Sequence, residues 1–234
     1  ARFLKNQSYG YFFLIFNFNH SIQRQINQYA KANKKVRIIY LSSSNVFDAY
    51  SKYPSYENDT TLSNSIYGHF KIRVEQQLLK LPKKQIVILR LPMVFGIRSP
   101  RVQELKTLHE LDEFIELFPN LIMNVCWDSK ITQLVHYIIN RNKYGIYHCG
   151  SSDLVPHEDF IKDLMRVLRL NHSKYKFVYT TNDERYLAVI PKYNTLPKHL
   201  LFESSSLFED LKEVNNTLLN LNLKKAFVIL QSKF

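Results

Sequence analysis

The sequence predicts an α/β protein: a doubly wound parallel sheet carrying a smaller C-terminal lobe. Two observations point to the sheet. Three apolar runs alternate with two helix-period segments between Tyr11 and Leu91, the rhythm of βαβ units. The runs are also apolar on consecutive rather than alternate residues, as strands covered on both faces are. A third observation sets the scale. In 234 residues, 45% of them hydrophobic, there is material for one core with an attached lobe and little reason for disorder.

Taken in order, Ala1 to Asn6 reads as the end of a helix. Residues 11–18, YFFLIFNF, form the first buried strand. SIQRQINQYAKANKKV follows, with Ile22, Ile26 and Tyr29 at helical spacing and Ser21 as its cap. VRIIYLSSS (36–44) is the next strand and ends in hydroxyls. A polar loop of about 20 residues comes next, long enough to suggest function. Residues 65–80 then read as a helix and 85–91 as a third strand. Beyond Gly96 the expected elements are helices at 102–117, 128–140 and 156–169, a strand GIYHC at 145–149, a Pro-containing stretch at 191–197 and a helix at 205–222. The division expected is residues 1–96 as part of a nucleotide-binding sheet domain, and 97–234 mainly as a substrate lobe with some segments returning to the sheet. Ligands of such sheets bind at the carboxyl ends of the strands.

Composition narrows the function classes. The formal net charge of +12 invites a nucleic-acid partner, but along the sequence the cations are scattered. The densest group, Lys31, Lys34, Lys35 and Arg37, falls where a helix end complements its own dipole. The sequence therefore argues against nucleic acid, while the same positive field suits a sugar diphosphate. Two cysteines, Cys126 and Cys149, without Cys-x-x-Cys spacing exclude a disulfide framework and a zinc site, and fit a reducing cytoplasm. No apolar run approaches the roughly 20 residues that span a bilayer, so no membrane partner is expected. His109-Glu110 and His157-Glu158 lack a second His at metal spacing. His148 and Trp127 read as packing residues, and the aromatics of 175–193 as core before sugar site.

The chemistry rests on Tyr67 and Lys71. Four apart on one helix, their side chains share a face one turn apart. A neighbouring ammonium favours phenolate and draws a tyrosine pKa from about 10 toward neutrality, making an acid or base usable near pH 7. In a chain with 15 Tyr such a pair also arises by chance as a solvated helix pair. Ser42, Ser43 and Ser44 strengthen the catalytic reading, because hydroxyls closing the preceding strand project where a reacting carbonyl would sit. Turn or helix capping is their ordinary alternative.

The order of these features resembles the extended short-chain dehydrogenases, and within them the reductases of the dTDP-4-dehydrorhamnose reductase type. Ser42 to Phe47, continued by Asp48, resembles the family's strand end followed by x-x-Val-Phe. Tyr56, Glu57 and Asp59 approximate its acidic turn, with Tyr56 one place late and Ser55 in its stead. Tyr67, Gly68, Lys71 and Glu75 match Tyr-Gly-x-x-Lys-x-x-x-Glu, and Arg90 to Gly96 match Arg-x-x-x-Val-Phe-Gly. Residues 145–153 and 191–196 resemble its Gly-x-Tyr-His and Pro-x-Asn segments, so the likeness runs from about residue 11 to 200.

The resemblance implies a Rossmann-like sheet and NADP or NAD as cofactor. It also implies a nucleotide-linked keto sugar as substrate and a homodimer as candidate assembly. Ser43 would position the substrate carbonyl, Tyr67 would donate the proton, and Lys71 would hold the cofactor ribose. Asn17, Ser42, Pro92, Met93 and Val94 would line the cofactor site with Tyr67 and Lys71. Ser44, Asn45, Val46 and Met93 would join Ser43 at the substrate. Epimerases, dehydratases and a non-catalytic regulatory subunit of methionine adenosyltransferase share this architecture.

Two departures stand against full activity. The family's Gly-x-x-Gly-x-x-Gly turn, whose amides hold the pyrophosphate, has no counterpart among five widely separated glycines. A sheet without its first strands would expose apolar edges, so a preceding segment carrying that turn is expected. The exit of the first strand is FNFNHS, with Phe18 and His20 where the family places small residues. Ser63 and Val74 replace a usual Pro and Gly.

Overall fold

The structure, a computed structural model, describes residues 2–6, 10–15, 28–193 and 196–211. Its central sheet has the order β1-β2-β3-β4-β9, formed by β1 (Arg2–Asn6), β2 (Gly10–Ile15), β3 (Arg37–Ser43), β4 (Ile86–Leu91) and β9 (Gly145–His148). The pairings from β2 to β9 are parallel, as the consecutive apolar runs required. β1 is the exception, an antiparallel strand in register Arg2↔Leu14 to Asn6↔Gly10. The expectation of a helix end at residues 1–6 is therefore corrected. A strand there pairs the backbone donors and acceptors that β2 would otherwise leave open on that edge.

Alternate residues of β3 and β4 feed two cores, because successive side chains leave opposite faces of a strand. Ile38, Tyr40, Ile86 and Ile88 pack with Ala30 of the helical stretch 28–32 and with Val74 and Leu78 of α1 (Ile66–Leu78). Ile39, Leu41, Val87, Leu89 and Leu91 face the larger core, which takes in α2 (Pro100–Glu110), α3 (Asp128–Asn140) and α4 (His157–Val167). Each of these helices falls within or beside its predicted range. The remainder of the predicted helices at 21–33 and 205–222 lies outside the described residues, apart from helical residues 28–32 and 205–211.

Residues 93–187 add three small sheets. β5 (Met93–Phe95) pairs in parallel with β8 (Val125–Trp127); β7 (Leu121–Met123) joins β10 (Val155–Pro156) and β12 (Arg185–Leu187); β6 (Phe114–Leu117) pairs with β11 (Lys174–Phe177). β6 corrects the prediction of helix through residue 117. Asp112 adopts φ 57°, which ends α2, and Phe114 to Leu117 then alternate exposed and buried at a strand's period of two. The strand at 145–149 does return to the main sheet, beside β4.

Local sequence explains where α1 begins, and that start positions the site. Ser65 is its N-cap, its hydroxyl accepting from Gly68 N–H at 3.0 Å and donating to the Asp48 carboxylate. Asp48 also accepts from Asn64 N–H at 2.6 Å, fastening the helix to the turn after β3. Burial opposes ionisation of Asp48, but these hydrogen bonds outweigh it and hold its pKa below the ordinary value.

Candidate active site

Ser43 ends β3 and caps a single 3₁₀ turn, Ser44–Phe47. Its hydroxyl donates to Asn45 Oδ1 at 2.9 Å and accepts from Asn45 N–H at 3.2 Å. Tyr67, in the first turn of α1, is 51% exposed, with the Ser43 side chain close enough to favour its ionised form. Lys71, one turn on, is almost wholly buried. Its ammonium donates to Leu41 C=O at 3.0 Å and lies 5.4 Å from the Tyr67 ring centroid and 5.0 Å from that of Tyr40. Ser43, Tyr67 and Lys71 thus meet at the carboxyl end of β3, the end at which doubly wound sheets bind ligands.

Electrostatics refine one expectation. Desolvation raises the Tyr67 pKa above 10.0, against the opposing effects of Ser43 and Arg101. The phenol therefore remains protonated at neutral pH, and the predicted shift toward neutrality is not found. Lys71 is desolvated as well. Burial pushes its own pKa down to about 8, with Glu75 acting against the shift, so its ammonium is itself poorly solvated.

The three consecutive serines separate into different roles. Ser42 points to the opposite face from Ser43 and donates to Glu75 Oε1 at 2.5 Å. Ser44 is buried in the turn, and Val46 is fully buried with Phe47, Ile72 and Val189. The side chains of Ser42, expected at the cofactor, and of Ser44 and Val46, expected at the substrate, are thus committed to packing or to Glu75. Asn45 keeps partial exposure, but its amide oxygen is engaged by Ser43. Pro92 is buried, whereas Met93 and Val94 are half-buried just beyond Leu91, which pairs with Ser43. Asn17 lies outside the described residues.

Gly68 is needed for this geometry. A Cβ there would come within 2.0 Å of Ser63 Oγ and 2.2 Å of Asn45 O, so only glycine lets α1 approach the turn that orients Ser43.

Beneath the site is a buried ion pair. Arg90 Nη2 donates to Glu75 Oε2 at 2.8 Å, and Nη1 donates to Glu57 C=O at 3.1 Å. The guanidinium stacks 4.8 Å from the Phe47 ring centroid. Glu57 in turn accepts from the amides of Lys192 and Tyr193 at 3.0 to 3.2 Å. His148, fully buried, hydrogen-bonds Ile190 C=O at 3.1 Å, and burial together with Arg90 lowers its pKa to about 3, so it stays neutral. The acidic turn of the sequence is consequently a latch between sheet and lobe.

Sequence reasoning missed Arg101, whose charge reaches both Tyr67 and His157. It borders a cavity of about 360 Å³ lined also by Phe95, Leu105, Phe114, Phe118 and His157. His157 Nδ1 accepts from Phe118 N–H at 3.3 Å, and burial followed by the Arg101 charge lowers its pKa to about 4. One signal was legible: Arg101 follows a Ser-Pro helix start, where a cation opposes the helix dipole and so is not placed for helix stability.

Comparison with known proteins agrees with the α/β fold. The chain is 23% identical over 137 residues to a dTDP-4-keto-6-deoxy-D-glucose reductase of Streptomyces niveus, covering 58% of this chain and 48% of that protein. It thus spans about half the length of that curated relative. A crystal structure of a dTDP-4-dehydrorhamnose reductase from Clostridium acetobutylicum superposes with TM-score 0.65 at 19% identity, over 84% of this chain and 70% of that one. The Bacillus anthracis dTDP-4-dehydrorhamnose reductase in complex with NADP gives 0.64 at 16%, over 81% and 69%. Residues 16–204 match the family described as RmlD substrate binding domain, and the chain belongs to that family.

Proposed function

We propose that this chain serves NADPH- or NADH-dependent reduction of a nucleotide-linked 4-keto sugar. The observation that carries the reading is the meeting of Ser43, Tyr67 and Lys71 at the carboxyl end of β3. Reduction requires a proton donor beside the developing alkoxide and a hydroxyl to hold the carbonyl oxygen. Tyr67, protonated at neutral pH and half-exposed, is the donor; Ser43, oriented by Asn45, is the hydroxyl.

The residues present fit the nicotinamide-ribose end of a dinucleotide. The Lys71 ammonium sits beside Tyr67, and Met93 and Val94 offer half-exposed apolar surface past the end of β4. Lys71 would hold the ribose, Met93 and Val94 would flank the ring, and the bound dinucleotide would supply the hydride. The described glycines form no cradle for a pyrophosphate.

Cys126 and Cys149 are buried free thiols with Sγ atoms 3.6 Å apart, a pair that supports the reducing cytoplasm as its location. A homodimer is the assembly proposed with it, checked by sedimentation velocity.

Titration with NADPH and NADH by nicotinamide fluorescence, followed by turnover of a dTDP-4-keto-6-deoxy sugar, tests the reading. Tyr67→Phe is expected to lower turnover by at least 10² while leaving cofactor binding nearly intact, the usual scale for losing a general acid. Turnover equal to the unmodified chain would overturn the assignment.

A further inference from the structure

Cations that are scattered along the sequence converge in the fold. The registers Ile38↔Ile86 and Val87↔Gly145 set the amino ends of β3, β4 and β9 side by side. The segments entering those strands are residues 28–37, 79–86 and 140–146. The first carries Lys31, Lys34, Lys35 and Arg37; the second Lys80, Lys83 and Lys84; the third Arg141 and Lys143. None of the three segments contains an Asp or Glu.

Hydrogen bonds hold these segments together. Gln85 Nε2 donates to Ala30, Asn33 and Val36 carbonyls at 2.9 to 3.2 Å, and Arg37 Nη1 donates to Lys143 C=O at 3.4 Å. The lysines are all exposed, and no ion pair among the described residues engages them. Each group lies at or just beyond the carboxyl end of a helix, where cations complement the dipole, and together they leave this edge strongly positive.

Apolar groups are exposed at the same edge. Leu79 is 53% and Tyr144 40% exposed. Both line a cavity of about 470 Å³ together with Leu81, Lys83, Ile86 and Ile146. Seven of the nine cations are lysines, hydrated point charges suited to a diffuse anionic surface, rather than arginine forks suited to bidentate reading of single phosphates. A lysine rim around an exposed leucine and tyrosine is the combination that adsorbs to lipid headgroups.

We propose that the amino-terminal edge of the β3-β4-β9 sheet is a docking surface for an anionic lipid bilayer. It lies one strand length, roughly 20 Å, from Tyr67, so a docked molecule keeps its reactive end open to solvent. This departs from the expectation of no membrane partner, which rested on the lack of a spanning segment; no helix among the described residues is long and apolar enough to cross a membrane, and the proposed contact is peripheral.

Co-sedimentation of the full chain with phosphatidylcholine vesicles, with and without phosphatidylglycerol, tests the proposal. Binding is expected only when phosphatidylglycerol is present, and it should weaken steeply with added salt. The Lys80→Gln, Lys83→Gln, Lys84→Gln triple variant should lose on the order of a hundredfold in affinity. The control triple Lys52→Gln, Lys106→Gln, Lys130→Gln should stay within about threefold, because these charges lie in the long loop, in α2 and at the amino end of α3, away from the amino ends of β3, β4 and β9. Circular dichroism melts confirm that both triples fold. Three results would overturn the proposal: no dependence on phosphatidylglycerol, equal loss in the two triples, or displacement from vesicles by duplex DNA at equal phosphate concentration, which would assign the surface to nucleic acid.

Discussion

Lys71 ties the chemistry of the site to its cost. An ammonium at 3% exposure has lost most of its hydration, and burial takes its pKa from 10.5 to about 8. Between pH 8 and 10.5 the unfolded chain therefore binds more protons at this position than the folded one, and stability rises with pH across that window. The Lys71 contribution is fully present above 10.5 and is lost as pH falls through 8. Thermal melts should accordingly show the midpoint of Lys71→Met gaining on the unmodified chain as pH is lowered from 10 to 7. A constant difference across that range would mean the lysine is not desolvated. Turnover should move the opposite way, declining above pH 8 as the cation beside Tyr67 is lost, while Tyr67 remains protonated. Cofactor affinity measured over the same range separates loss of ribose binding from loss of the charge.

At the scale of elements, α1 was legible because everything that defines it is local. Ser65 caps it, the Tyr67–Lys71 spacing sets one face, and Gly68 sits where the helix crosses the turn after β3. Gly68→Ala should cost about 1–3 kcal/mol, the usual range for overpacking a tight site, because Asn45 O is backbone and cannot swing aside. Turnover should fall further than stability alone explains, since the displaced turn carries Ser43. Denaturant melts paired with kinetics check this, and an alanine variant with unchanged stability would show that the approach is looser than 2.2 Å implies.

Features set by distant partners could not be read in the same way. The serine run at 42–44 looked like one functional cluster, but strand alternation sends Ser42 to Glu75 and leaves only Ser43 facing Tyr67. β6 read as helix because its pairing partner, β11, lies about 60 residues away. Arg101 gave one weak local signal, and its relation to Tyr67 exists only once α2 is folded against the sheet.

Over the whole molecule, sheet and lobe are joined through buried polar groups as well as through the shared apolar core. Arg90 binds Glu75 of α1 and the Glu57 carbonyl of the long loop, and the Glu57 carboxylate takes the amides of Lys192 and Tyr193. The strap at 188–190 is held in addition by Asn124, which bonds Val189 N–H at 3.1 Å and Val189 C=O at 2.9 Å, and by Ser55, which pairs with Ala188 and Ile190. Glu57 therefore anchors the end of a strap whose other half has separate partners. Glu57→Ala leaves two amides without their acceptor but leaves the Arg90–Glu75 pair and the Asn124 bonds in place. Its effect should be local: hydrogen exchange at Lys192 and Tyr193 should accelerate by tenfold or more, about the loss of one charge-assisted bond each. Exchange at Val189 and at Leu89 in β4 should change far less. Equal acceleration at all four amides would instead make Glu57 part of the global folding unit, with the lobe and sheet opening as one.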